Sequence, residues 1–205
     1  PKAVEHNHIY TLGHIITAKY WQCVKDGGLH LTVAETGWAK ASWGKIYGQW
    51  LCGSAVMVYD FDKFSPGKLL RIMEKYKVTT FCAPPTVYRY FIKRGMNKYD
   101  LSALSHLTTA GEALNNEVFE EVFKQTGIEL CEGFGQTETT LTVANFGGNA
   151  VKVGSMGMAS PQYRINLVDS DGNPVNDGET GEIVIHLDEG TPLGLFREYY
   201  REPEK

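Results

Sequence analysis

Hydrophobic positions follow two alternating periods through the middle of the chain. Short apolar or β-branched runs at 54–59, 78–82, 107–109 and 128–131 predict buried strands. Helical spacing of apolar residues predicts helices from Pro66, over 85–93 and over 115–126, the last ended by Gly127. The hydrophobic face of that last helix is expected to comprise Val118, Phe119, Val122 and Phe123. Strands that alternate with helices in this way predict an α/β fold with a largely parallel sheet flanked by helices.

The pattern differs on either side of this central region. Upstream, helices are expected over 7–22 and 38–50. In the second helix, a stripe predicted to face the core contains Trp43, Ile46, Tyr47 and Trp50. Downstream, runs at 163–168 and 182–187 predict strands, with Asp-Gly pairs between them as turn signals. We therefore expect an α/β subdomain over 1–148 and a smaller β-rich, barrel-like subdomain over 149–205.

Composition narrows the functional classes. The 205 residues are 42% hydrophobic, enough for a substantial core, and the net charge of −4 provides no basic field for nucleic acid. No apolar run reaches the 18 residues that a membrane-spanning helix needs. The four cysteines lack CxxC spacing and the six histidines lack metal-binding spacing, so free, buried thiols are expected. We accordingly expect a cytoplasmic protein.

A glycine-containing run at 132–139, Glu-Gly-Phe-Gly-Gln-Thr-Glu-Thr, directly follows the predicted strand at 128–131. Its glycines remove side chains that would keep an anion away from backbone amides. In such a setting Thr137 donates a hydrogen bond to a phosphate oxygen, and Glu138 supplies the carboxylate oxygen that Mg²⁺ prefers. The alternative interpretation is a simple turn between a strand and a helix. The run lacks the third glycine of a dinucleotide fingerprint, so that motif does not apply.

Three polar motifs each follow a predicted strand. Glu-Thr-Gly-Trp at 35–38 follows the apolar run 29–34, Ala-Gly-Glu-Ala at 110–113 follows 107–109, and the glycine-containing run follows 128–131. Ligands of open α/β sheets bind outside the carboxyl ends of the strands. The three motifs are therefore expected on one rim of the sheet.

Taken together, these motifs resemble the adenylate-forming superfamily of acyl-CoA synthetases, luciferases and peptide-synthetase adenylation domains, and most closely its medium-chain acyl-CoA synthetase branch. The matching segments are Pro-Lys at 1–2, the motifs at 35–38, 109–113 and 132–139, and the weaker Gly-Glu-Ile at 181–183 with Tyr-Tyr at 199–200 and Pro-Glu at 203–204. The resemblance covers essentially the whole chain. It implies a central fragment that begins at the end of a phosphate loop and stops before a Thr-Gly-Asp segment and a C-terminal domain with an adenylation lysine. Such a fragment is expected to be inactive alone.

The resemblance also implies a two-step reaction. A carboxylate attacks the α-phosphorus of Mg-ATP to give an acyl-adenylate and pyrophosphate, and the thiol of coenzyme A then displaces AMP. By position, Thr137 contacts the α-phosphate, Glu138 binds Mg²⁺, and Lys2 lies at the pyrophosphate side. The adenine pocket is expected to be lined by Gly111, Glu112 and Ala113 with the backbone of Glu132, Gly133, Phe134, Gly135 and Gln136.

Several alternatives remain open at this stage. By the resemblance, Trp38 matches a tryptophan of the acyl pocket, where a rigid indole wall suits an apolar chain. The alternative is that Trp38 is simply the first core residue of its helix. Glu112 is alternatively a surface carboxylate whose backbone matters more than its side chain. The protein as a whole is alternatively an adenylation domain that loads an amino or aryl acid onto a carrier protein, or a nucleotide-binding module without catalysis. The sequence predicts neither the acyl chain length nor the oligomeric state.

Overall fold

The computed structural model describes residues 2–34, 37–202 and 204, without the side chains of residues 42 and 43. This part of the chain does not include Pro1, Glu35, Thr36, Pro203 or the Trp43 side chain. The predictions made for them therefore lie outside the described residues. The elements, in chain order, are β1 (Val4–Glu5), α1 (Tyr10–Ile16), a π-helical turn (Thr17–Trp21), β2 (Leu29–Thr32), α2 (Lys40–Trp43), α3 (Tyr47–Leu51), β3 (Ala55–Met57), α4 (Pro66–Tyr76), β4 (Thr80–Cys82), α5 (Pro85–Arg94), a 3₁₀ turn (Met96–Lys98), β5 (His106–Thr109), α6 (Asn116–Thr126), β6 (Leu130–Gly135), β7 (Leu141–Ala144), β8 (Met158–Ala159), β9 (Ile165–Val168), β10 (Glu182–Ile185) and β11 (Glu198–Tyr199).

A seven-stranded sheet with the order β3-β2-β4-β5-β6-β7-β8 forms the centre of the described chain. The pairings from β3 to β6 are parallel, whereas β7 and β8 add antiparallel strands at one edge. This arrangement confirms the predicted α/β fold with a largely parallel sheet. Later in the chain, β9 and β10 form a two-stranded antiparallel hairpin, and β11 returns to pair with β1. A barrel-like subdomain is not confirmed by these pairings, and the two-domain division stays a prediction.

Adjacent strand residues point to opposite faces of the sheet and contribute to separate cores. Phe81 and Leu130 belong to the larger core, which α4, α5 and α6 cover with buried residues such as Leu70, Phe91 and Val122. Their neighbours Cys82 and Cys131 belong to a smaller core on the other face, packed against the fully buried Trp21. The sheet is therefore buried on both faces, as parallel sheets usually are.

The three central helices form where the hydrophobic period predicts them. Pro66 and Pro85 occupy first-turn positions of α4 and α5, where the missing N–H costs nothing. The Asn115 side chain caps α6 by accepting a hydrogen bond from the Glu117 amide, and Gly127 ends α6 with a φ of 72°. One predicted core residue is wrong, because Phe123 is 48% exposed.

The two upstream helices are shorter than predicted. The first begins at Tyr10 and continues from α1 into the π-helical turn. The second is interrupted at Gly44, whose carbonyl accepts hydrogen bonds from the buried side chains of His30 and Thr32. A continuous helix would use that carbonyl for its own ladder. The predicted core-facing stripe is wrong, because Trp50 is 65% exposed and Tyr47 is 37% exposed.

Candidate functional site

The described parts of all three motifs lie at the carboxyl edge of the parallel strands. Trp38 lies in the segment after β2, residues 110–113 follow β5, and Glu132 lies on β6 next to Thr109 of β5. A Cβ at Gly111 would lie 3.6 Å from the Trp38 ring and 3.2 Å from Lys40 Nζ, so two of these segments touch. The predicted common rim is confirmed for these residues.

A cleft of about 440 Å³ opens between the 110–114 loop and β6. Its lining includes seven of the residues predicted for an adenine pocket, namely Gly111, Glu112, Ala113, Glu132, Gly133, Phe134 and Gly135. Leu114, Gly154 and Met156 complete the lining. Gly154 and Met156 were missed by sequence reasoning, because nothing in their local sequence connects them to strands that precede them in the chain. Gln136 is exposed and belongs to the turn beyond the cleft.

Glu132 joins the two walls of this cleft. Its carboxylate Oε1 accepts a 3.1 Å hydrogen bond from the Leu114 amide, which ties the 110–114 loop to β6. The Glu132 main chain is held in turn by Asn145, whose side-chain Oδ1 accepts from the Glu132 amide at 3.0 Å. Burial raises the pKa of Glu132, and the Leu114 hydrogen bond opposes that shift in part. The sequence-based prediction gave a role only to the backbone of Glu132, as part of the adenine pocket. The structure adds a role for its side chain, which holds the 110–114 loop against β6.

Glu112 is bonded across the loop to α5. The Thr86 hydroxyl lies 3.1 Å from Glu112 Oε1 and 3.0 Å from Oε2, and Thr86 is in the first turn of α5. The Glu112 side chain is exposed but has a defined partner, so it fixes the loop against the amino end of α5. Thr86 carries no signal in the sequence that points to the loop.

The glycine-containing run forms a β-hairpin, which corrects both the strand boundary and the alternative interpretation. Strand β6 does not end at Cys131 but continues to Gly135, and the chain then turns back antiparallel as β7. No helix follows the turn. At Gly135 the ladder shifts register, and a Cβ there would overlap the Thr140 carbonyl oxygen. Only glycine allows the two strands to approach this closely, so Thr137 and Glu138 lie at the tip of a tight hairpin.

Three contacts from outside the hairpin hold its tip. His6 Nε2 donates to the Thr137 carbonyl at 2.7 Å, and the Phe196 amide donates to the Glu138 carbonyl at 2.7 Å. The Tyr199 hydroxyl donates to Glu138 Oε1 at 2.8 Å. The Thr137 side chain is exposed and the Glu138 side chain is half-buried. In the sequence, His6 was noticed only as one of six histidines without metal-binding spacing, and Tyr199 was given no role although it belongs to the resemblance.

Lys2 lies beside the hairpin tip rather than in the cleft. Its Nζ is 4.2 Å from the centroid of the Tyr199 ring, a distance typical of a cation–π contact. The pairing of β1 with β11 fixes this position, because Val4 is opposite Tyr199. Lys2, Tyr199 and Glu138 thus form a consecutive series of contacts next to Thr137.

Trp38 and Lys40 form the other end of the site. Trp38 is 49% exposed and precedes α2, which does not support its reading as the first core residue of the helix. Lys40 is buried, donates a hydrogen bond to the Ala110 carbonyl, and places Nζ 5.8 Å from the Trp38 ring. Burial lowers the pKa of Lys40. The sequence analysis missed Lys40, although a lysine two residues after a motif tryptophan was available as a signal.

The donor set at the hairpin tip suits a metal bound to a nucleotide. In the described ranges, no group of three or more His, Cys, Asp or Glu side chains is arranged to hold a metal ion. Magnesium is commonly held by one or two carboxylates together with substrate phosphates and water. The single carboxylate of Glu138 beside the Thr137 hydroxyl fits that arrangement.

Two general predictions about the chain can also be compared with the structure. Cys82 and Cys131 are buried free thiols as predicted, whereas Cys23 and Cys52 are free but only half-buried. Within residues 2–34, 37–202 and 204, no helix is both long and apolar enough to cross a bilayer.

Known proteins are similar to this chain in sequence and in architecture. Human mitochondrial acyl-coenzyme A synthetase ACSM3 is 35% identical over 206 residues, which cover 100% of this chain and 35% of that protein. Human mitochondrial acyl-coenzyme A synthetase ACSM4 is 36% identical over 206 residues, with 100% and 36% coverage. The crystal structure of an acyl-CoA synthetase from Brucella canis is similar with a TM-score of 0.91 at 27% identity, covering 99% of this chain and 38% of that chain. The chain thus spans about a third of the length of the curated relatives it matches.

These relatives correct one prediction and identify the family. The expected cytoplasmic location is contradicted, because the curated relatives are named as mitochondrial proteins. That expectation was inferred from the free cysteines, which indicate only a compartment in which thiols stay reduced. The pattern of the AMP-binding enzyme family matches residues 1–200, nearly the entire sequence. This chain therefore belongs to the AMP-binding enzyme family.

Proposed function

We propose that the protein is an acyl-CoA synthetase, which activates a carboxylic acid as an acyl-adenylate with ATP and transfers the acyl group to coenzyme A. The observation that carries this proposal is the adjacency of a nucleotide-sized cleft, lined by Gly111 and Gly133, to a hairpin tip that presents Thr137 and Glu138. Relatives named acyl-coenzyme A synthetases support the choice of a CoA ligase within the family.

Each part of the site has a proposed role in binding ATP. The cleft takes the adenine, with the 110–113 loop on one wall and β6 on the other. The Thr137 hydroxyl, exposed at the hairpin tip, donates to the α-phosphate, and the Lys2 ammonium neutralises charge on the pyrophosphate side. Since both reactants of the first step are anionic, these donors lower a barrier that consists largely of charge repulsion and misalignment.

Glu138 is proposed as the protein ligand of Mg²⁺. The ion, when bound with ATP, supplies positive charge next to the phosphates. The contribution of this chain is to hold the Glu138 carboxylate at a fixed position, by way of the Tyr199 hydroxyl and the Phe196 amide. Trp38, half-exposed at the opposite end of the rim, is proposed to form one wall of the acyl pocket.

The proposal is tested with the full-length protein by carboxylate-dependent exchange of pyrophosphate into ATP, followed by assay of acyl-CoA formation. We expect exchange with fatty acids and thioester formation with free coenzyme A. Exchange that occurs only with amino or aryl acids, and transfer only to a carrier-protein thiol, would overturn the assignment in favour of a carrier-loading adenylation domain. Binding of ATP without exchange for any acid tested would indicate a nucleotide-binding module.

The 205-residue chain expressed alone is expected to be inactive. It matches about a third of the length of its curated relatives, so it is expected to hold only part of the machinery for a reaction that depends on several electrostatic contributors. Exchange activity of this chain well above a buffer control would contradict that expectation.

The division into units 1–148 and 149–205 is a separate proposal. Limited proteolysis that cuts near residue 148 would support it.

A further inference from the structure

We propose that Tyr199 is a positioning residue that orients the Glu138 carboxylate for cation binding and couples it to the segment that carries Lys2. This inference rests on the proposed function, since it assumes that Glu138 binds the metal of the metal–nucleotide complex. It adds a residue from β11, a strand far along the chain from the hairpin.

The hydrogen bond from Tyr199 selects one oxygen of the carboxylate. The phenol donates to Glu138 Oε1 at 2.8 Å, and among the described residues Oε2 accepts no hydrogen bond. A carboxylate with one oxygen engaged cannot rotate freely about its last bond, so the other oxygen is presented in a restricted direction. Residues that hydrogen-bond to metal ligands in this way commonly determine ligand orientation and affinity.

Tyr199 is itself fixed from three sides. Its backbone is in the β1–β11 ladder opposite Val4, its ring centroid is 5.0 Å from that of Phe196, and Lys2 Nζ lies 4.2 Å from the ring. The neighbouring Phe196 amide also donates to the Glu138 carbonyl. The phenol is therefore pre-organised, and the same ring contacts both the Lys2 side chain and the proposed metal ligand.

A mainly structural tyrosine would pack against its neighbours without affecting metal affinity. Tyr200 offers a matched control, because it is the adjacent tyrosine, 54% exposed, and its amide rather than its hydroxyl bonds to the Ala3 carbonyl. Removing one phenolic oxygen at either position changes the protein by the same single atom. Tyr199→Phe and Tyr200→Phe thus differ in whether the removed hydroxyl contacts Glu138.

The experiment measures Mn²⁺ binding to the full-length protein by electron paramagnetic resonance, in the presence of α,β-methylene ATP. We expect Tyr199→Phe to weaken Mn²⁺ affinity by about 10- to 100-fold, the range typical of residues that hydrogen-bond to metal ligands. Tyr200→Phe is expected to bind as the wild type does. Glu138→Gln is expected to lose affinity, and the Tyr199→Phe, Glu138→Gln double variant to lose no more than Glu138→Gln alone, because Tyr199 acts through Glu138.

The outcomes separate this inference from the proposed function. Wild-type Mn²⁺ affinity in Tyr199→Phe, combined with a loss in Glu138→Gln, overturns the role of Tyr199 and leaves the metal assignment intact. Wild-type affinity in Glu138→Gln overturns the metal assignment itself. Additive losses in the double variant would also overturn the inference, since they would mean that Tyr199 acts independently of Glu138.

A second measurement needs no Tyr199 variant, in case that variant does not fold. The Tyr199 hydroxyl donates to Glu138 Oε1, so its ring reports directly on that carboxylate. With ¹³C-labelled tyrosine, NMR spectra of the wild-type protein at constant pH should show the Tyr199 ring signals shift when Mg²⁺ is added to the complex with α,β-methylene ATP, while those of the exposed Tyr200 stay in place. Tyr199 signals that do not respond to the metal would overturn the proposal.

Discussion

The Glu132 carboxylate provides a stringent test of how the cleft is built, because two substitutions there should have opposite effects. Glu132→Ala removes the acceptor for the Leu114 amide and should release the 110–114 loop from β6. Glu132→Gln keeps a carbonyl oxygen in a side chain of the same length and removes the charge. Comparing the two variants therefore separates the effect of the hydrogen bond on stability from the effect of the negative charge.

The expected magnitude for Glu132→Ala follows from one lost hydrogen bond to a buried carboxylate. Leaving the partner of such a bond unsatisfied typically costs about 1–3 kcal/mol. For an m-value of about 2 kcal/mol/M in urea, the unfolding midpoint should fall by about 0.5–1.5 M. The affinity for AMP should fall as well, because Gly111 and Ala113 lie on the loop that Glu132 holds.

The expected effect of Glu132→Gln depends on pH. Burial raises the pKa of Glu132, so the folded state binds this proton more tightly than the unfolded state does. The resulting contribution to stability is fully present below the ordinary glutamate pKa of about 4.3, and it is lost as pH rises through the folded-state value. Relative to the wild type, Glu132→Gln should therefore gain stability between pH 4 and 7, and at pH 7 it should be at least as stable.

Urea unfolding of the wild type and both variants at several pH values, followed by tryptophan fluorescence, measures these differences. The reasoning is refuted if Glu132→Ala and Glu132→Gln are equally stable at pH 7. It is also refuted if the stability of the wild type relative to Glu132→Gln increases from pH 4 to pH 7, because the carboxyl pKa would then be lowered by folding.

The remaining predictions concern the hairpin and the acyl end of the site, all in the full-length protein. Raised Mg²⁺ should recover part of the activity lost in Glu138→Gln. Thr137→Val should lose about 100- to 1,000-fold in kcat, and raised Mg²⁺ should not recover that loss. Equal insensitivity of both variants to Mg²⁺ would contradict the metal assignment. Trp38→Ala should shift kcat/KM toward bulkier acids by about 10- to 200-fold per methylene-scale difference, and an unchanged ranking would make Trp38 a packing residue. Gly135→Ala places a Cβ against the Thr140 carbonyl and should destabilise the protein by about 1–3 kcal/mol in urea unfolding; a wild-type midpoint would show that the hairpin has room.

The sequence alone determined the central architecture and the common rim of the site. The helices α4, α5 and α6 follow from local hydrophobic periodicity and from end signals such as Pro66 and Gly127, which act within a few residues. The rim follows because parallel strands place their carboxyl ends together, so the segments after β2 and β5 lie next to the end of β6, although the third motif begins within β6 rather than after it. In one helix a tertiary contact overrode the local pattern. The helix predicted over 38–50 breaks because buried side chains take the Gly44 carbonyl.

Only the tertiary structure decided which side chains hold the site in position. Tyr199 contacts Glu138 across 61 residues of sequence, and His6 contacts Thr137 across 131. Hydrophobic periodicity reports which face of an element is buried, but it carries no information about which distant residue lies opposite a given polar atom. The extension of β6 to Gly135 was hidden for a related reason, because its glycines favour a turn until an antiparallel partner, β7, supplies the ladder. The residues with proposed contacts to ATP were thus readable from motifs, whereas the hydrogen-bond partners that orient them appear only when separate elements pack together.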